Sequence, residues 1–167
     1  MKLGRIALLL AAATALQFFV GGSPHRAVWP VDFFLLATGM VARGGDFVRA
    51  VLVGGVVGIV EDALNHDLIG MNAFAKAALG YGLAFLSIRV MFGGPWAVGG
   101  ALAAASLVND LIVAVLGSLL LQAPIVLFSR EALWRAVATG ASGGVLEAAR
   151  LFPWREWWER RRLRRLR

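Results

Sequence analysis

The chain has no cysteine and only two histidines in 167 residues. Without thiols there is no disulfide framework and no thiolate metal site, and the redox compartment cannot be read. His25 and His66 stand too far apart for a metal motif. Charged residues make up only 16% of the chain, against 59% hydrophobic and a mean hydropathy of +0.74, a balance outside the range of soluble domains. Polar sequence long enough for a soluble domain is missing as well. Within the apolar stretches no Ser or His has a partner at catalytic spacing, and no phosphate-binding loop occurs. The expectation is a protein that is not an enzyme, with no catalytic residue, no cofactor-binding residue, no cofactor and no metal ligand.

What is present is apolar sequence broken by Gly, Pro and charge. Runs at Ile6–Val20, Val28–Val41, Phe47–Leu64, Ala73–Met91, Trp96–Leu121 and Ala132–Ala149 are each read as a membrane helix, since a crossing takes roughly 17 to 25 residues. The second run is short and opens with Trp29, Pro30 and Asp32, where a Pro in the first turn is tolerated and a Trp suits the interface. The fold class expected is an all-α membrane protein, a bundle of six transmembrane helices over residues 1–150, with a basic, Trp-rich tail over 151–167. Met1 to Val20 also has features of a signal peptide, with Lys2 and Arg5 before an apolar core; against this, the apolar run continues through Phe18, Phe19 and Val20.

Orientation follows from the excess of Lys and Arg on the cytoplasmic side. With the N-terminus inside, thirteen basic residues are cytoplasmic (Lys2, Arg5, Arg43, Arg49, Arg89 and eight tail arginines) against Arg26, Arg130 and Arg135 outside, and both termini are cytoplasmic. The formal net charge of +7 therefore belongs to the tail and does not imply a nucleic-acid partner. There Trp154, Trp157 and Trp158 precede Arg160, Arg161, Arg162, Arg164 and Arg165, a mixture suited to a helix lying on anionic lipids.

Two runs carry stripes of small residues at one-turn spacing, the pattern that lets helices pack closely in lipid. The third places Ala50, Gly54, Gly58 and Asp62 on one face, and the sixth Ala132, Ala136, Gly140, Gly144 and Ala148; both stripes are expected to face protein. Glu61 lies beside Asp62, the fourth run puts Asn72, Lys76, Gly80 and Ala84 on one face, and the fifth holds Ser106, Asn109 and Asp110. Because a lone charge in hydrocarbon is unfavourable, Lys76 is expected to bond at least one of Glu61, Asp62 and Asp110 in the outer third of the membrane. Such a cluster is either an ion-pair network that sets helix order or a solute or proton site. Glu147 is expected to pair locally with Arg150, and His66 and Asp67 are assigned no ligand role.

The segment from Gly54 to Leu64, followed by Gly70 to Lys76, resembles the rod shape-determining protein MreD family, whose pattern of a Gly-rich helix ending in an acid and then a turn Gly maps onto Gly54, Gly58, Asp62 and Gly70. Pro30, Val31 and Asp32 resemble the family's Pro-Asp opening of the second helix, with one residue inserted. The resemblance implies a non-enzymatic scaffold of the cell-elongation complex in the bacterial inner membrane. It also implies partners: the bitopic protein MreC, and a peptidoglycan glycosyltransferase paired with a class B penicillin-binding protein. The same architecture is similar to the substrate-binding components of energy-coupling-factor vitamin transporters, which dock through Ala-xxx-Ala in the first helix; here Ala7, Ala11 and Ala15 stand there. A vitamin-type solute subunit is therefore the alternative, although only Trp29, Phe33, Phe74 and Tyr81 are available in the outer half to stack a ring.

Overall fold

The computed structural model describes residues 3–21, 30–65, 68–89, 94–122 and 129–152. These form six α-helices, α1 (Leu3–Gly21), α2 (Phe33–Ala42), α3 (Phe47–Asn65), α4 (Met71–Arg89), α5 (Pro95–Leu121) and α6 (Arg130–Leu151), and no strand occurs among them. By length and composition α4 and α5 are able to cross a membrane, while α2 and the Ile6–Phe19 segment of α1 are apolar but shorter. The arginine-rich tail with its three tryptophans, the Trp29 and Val28 assigned to the second span, and His66 and Asp67 lie outside the described residues.

The third to sixth runs become helices within two residues of the expected starts and ends, because Gly, Pro and capping side chains stop each one. Asp46 accepts from Arg49 N (3.1 Å) at the start of α3, and Ser129 from Ala132 N (3.1 Å) at the start of α6. Gly70, at φ +114°, turns the chain into α4 through a conformation that a side chain would strain.

The second span is corrected. Pro30 is not in its first turn; the helix starts only at Phe33, after Asp32, whose carboxylate accepts from Leu35 N at 2.8 Å. Ten residues at 1.5 Å each make α2 about 15 Å long, half the length of its neighbours. It is buried nearly all round and touches every other helix, whereas α1 touches only α2 and α3. One apolar cluster joins its Leu35 and Leu36 to Leu83 and Leu102; a second joins its Phe34, Ala37 and Val41 to Ile6, Val53 and Val57. We call the end holding the starts of α1, α3 and α5 basal, and the opposite end apical.

Around this peg the longer helices pack as two antiparallel hairpins, α3 with α4 and α5 with α6. The α3 stripe is the seam of the first: Ala50, Gly54, Gly58 and Asp62 are all buried. A Cβ on Gly54 would strike the Lys76 carbonyl, and one on Gly58 the backbone of Ala73. In the second hairpin a Cβ on Gly140 would meet the Gly99 carbonyl at 2.7 Å, and one on Gly144 the Pro95 carbonyl at 3.2 Å. The α6 stripe is corrected at its end: Ala148 is exposed, and Gly143 and Glu147 take the inward places. A spacing of four runs past the 3.6-residue turn, so a straight helix brings its inward face back with an i, i+3 step.

Candidate functional site: a buried charge network and a basal cavity

Lys76 is fully buried, an ammonium that must find anions within the protein. It is 2.6 Å from Glu61 on α3 and 2.9 Å from Asp32 at the head of α2. Of the three acids among which the sequence expects at least one partner, Lys76 meets Glu61; the sequence marks Asp32 only as the opening of a helix. Because α2 starts late, Asp32 sits beside the middle of α6, where its N–H donates to Thr139 Oγ1 at 3.1 Å. Its carboxylate thus caps α2 with one oxygen and holds Lys76 with the other. The non-helical backbone at Val31 and Asp32 is buried.

Asp62 does not pair with Lys76. Its carboxylate accepts from Gly70 N (2.7 Å), Asn72 N (3.1 Å) and Asn72 Nδ2 (2.8 Å), and so caps α4 from the neighbouring helix. Free N–H groups and the positive end of the helix dipole neutralise a buried carboxylate without a cation. Asp110 pairs instead with Arg135 on α6, at 3.2 Å, a residue that charge counting assigns to an outer loop. Asn109 and Ser106 are buried on the same side of α5, the former with an Oδ1 that has no hydrogen-bond partner among the described residues. The expected cluster of Glu61, Asp62, Asn72, Lys76, Asn109 and Asp110 therefore separates into three groups: the triad of Lys76, Glu61 and Asp32; the Asp62 cap; and the Asp110–Arg135 pair.

At the basal end Glu147 pairs with Arg150, 3.7 Å away, as expected, and also with Arg43 from the loop after α2. Burial, and then the like charge of Arg150, lower the Arg43 pKa from its ordinary value, yet an arginine remains a cation at physiological pH. These residues form the mouth of a cavity of about 460 Å³ walled by Leu36, Leu83, Val98, Ala101 and Leu102. The sequence points to a candidate solute site in the outer half; this cavity is at the other end of the bundle, opposite Lys76. Its rim joins residues more than a hundred positions apart, and no local spacing signals it.

Large apolar side chains cover the outside of the bundle, among them Leu8, Phe18 and Phe19 on α1, Val48, Leu52, Val56 and Ile59 on α3, Phe74, Tyr81 and Phe85 on α4, Val108 and Leu119 on α5, and Trp134 and Val137 on α6. Lys76, Asp32, Asp62 and Glu147, by contrast, are buried and paired or capped within the bundle. No protein-family model, no curated protein and no solved structure matches the chain.

Proposed function

We propose that the chain is a six-span scaffold protein of the bacterial inner membrane with cytoplasmic basal ends, working by lateral helix contacts within the cell-elongation complex and not as an enzyme. The observation that carries this reading is the distribution of polarity: exposed Val, Leu, Ile and Phe on the faces of five helices, with Lys76 held by Glu61 and Asp32, and Asp62 by Gly70 and Asn72, in the interior. Soluble monomers rarely expose apolar patches beyond a few hundred Å². Glu61 and Asp62 of α3 and Arg135 and Glu147 of α6 find partners within the bundle, as charge in lipid requires.

The resemblance to the MreD family supports the choice of complex. Five of the positions that carry it contribute to packing, for Gly54 and Gly58 let α4 approach, Asp62 with Gly70 caps α4, and Asp32 caps α2 while holding Lys76. With the network engaged internally, the apolar exterior is the surface left for partners. The test is affinity purification of the full chain from its own membrane. Recovery of an MreC-like bitopic protein together with a penicillin-binding protein is expected; recovery of ATPase subunits, or a vitamin retained in native mass spectrometry, supports the transporter alternative. One observation favours that alternative: Ala7, Ala11 and Ala15 are all exposed on α1, forming a small-residue stripe open to another helix.

A further inference from the structure

The basal cavity has apolar walls and a charged rim, and its position at one end of the bundle gives it a direction. Leu36, Leu83 and Leu102, nearly inaccessible from outside, form the inner wall. Met40 and Leu146, both exposed on the outer surface, form part of its side, so the cavity opens laterally between α2 and α6. Its rim brings three guanidiniums (Arg43, Arg49 and Arg150) together with two carboxylates, Asp46 and Glu147. Asp46 pairs with Arg49 at 3.0 Å, while Arg43 and Arg150 converge on the single carboxylate of Glu147. Positive charge is therefore in excess where Arg43 and Arg150 meet. Among the described residues, none donates a hydrogen bond to Glu147 Oε1, which is buried there.

We propose that this cavity binds one phospholipid of the basal leaflet, an acyl chain lying against Leu36 and Leu102 and the phosphate held by Arg43 and Arg150. A guanidinium donates in a planar fork that matches phosphate oxygens. A head-group hydroxyl or ammonium donates to Glu147 Oε1, so phosphatidylglycerol or phosphatidylethanolamine satisfies both signs of the rim, which inorganic phosphate does not. The volume falls within the usual range of ligand cavities, roughly 300 to 1,000 Å³, and the lateral opening admits a chain from the bilayer. Such a lipid fills the gap between the α2 peg and the α5–α6 hairpin, which meet along fewer residues than the two hairpins do internally. The site is separate from any adsorption of the basic tail to head groups, and it rests on the membrane reading.

The full chain is purified in detergent, and native mass spectra are recorded with added phosphatidylglycerol, phosphatidylethanolamine or inorganic phosphate. Wild type is expected to keep one phospholipid through collisional activation. Ala101→Phe, which fills the cavity, lowers occupancy about tenfold, and Arg150→Gln, whose side chain is 63% exposed, lowers it several-fold; Leu119→Ala, at the apical end, leaves it unchanged. Circular dichroism checks the fold of Ala101→Phe, and should that variant not fold, Arg150→Gln carries the test alone. Unchanged lipid occupancy in the folded cavity variant or in Arg150→Gln, or inorganic phosphate retained as well as lipid, overturns the proposal. A chain that alkaline carbonate removes from membranes defeats the membrane reading itself; a chain that stays in the membrane but keeps no lipid defeats this proposal alone.

Discussion

At the scale of single residues, Lys76 decides the interior. Its ammonium has two carboxylates within 3 Å and no access to solvent, and removing one member of a buried ion pair leaves uncompensated charge, at about 3 to 5 kcal/mol. Lys76→Met is therefore expected to lose most of its membrane expression and to unfold at lower temperature in detergent. Adding Glu61→Gln and Asp32→Asn to Lys76→Met restores much of the loss, because neutral amides no longer demand a counter-ion; a triple variant no better than the single one contradicts the network. Asp62 behaves differently, since its partners are N–H donors. Asp62→Ala removes a cap from α4 and is expected to lower stability by about 0.5 to 2 kcal/mol, read as a smaller shift in the same thermal assay. That Lys76 must pair was legible from its place among small residues on one helix face. Its second partner was not, because Asp32 reads as the opening of a full-length span; an Asp immediately before Phe33, Phe34 and Leu35 is the N-cap signal that places it. Arg135 is hidden by charge counting, which treats a basic residue near a span end as a loop residue.

At the scale of elements, the two hairpins differ in how closely their backbones meet. The α3–α4 seam has no room for a Cβ at Gly54 or Gly58, and the obstacle is backbone, which cannot swing away as a side chain does. Gly58→Val is therefore expected to abolish accumulation of folded protein, whereas Gly55→Ala, at a position open on the other side of α3, leaves it unchanged; fluorescence-detected size-exclusion profiles separate the two outcomes. The seams were legible because repeats of small residues at one-turn spacing have few other uses in an apolar helix. The length of α2 was not. Apolarity from Val28 onward conceals that Pro30 and Val31 are not helical, and the consequence, a half-length peg touching every other helix, is a tertiary property that no window of sequence contains. The basal cavity is hidden for the same reason, since Arg43 and Glu147 come together only when the α2–α3 loop meets the end of α6.

At the scale of the whole molecule, Lys76, Asp32, Asp62 and Glu147 are buried while large apolar side chains cover the outside, and the proposed membrane setting requires the two ends to face different compartments. The chain has no cysteine of its own, so a single introduced thiol reports its own location without background. Ile69→Cys lies in the exposed apical turn between α3 and α4, and Asp46→Cys in the basal loop before α3. Labelling intact cells with a membrane-impermeant maleimide is the most direct test. Ile69→Cys is expected to react in intact cells, and Asp46→Cys only after permeabilisation. Equal labelling of the two positions in intact cells, or labelling of Asp46→Cys alone, would contradict the proposed topology.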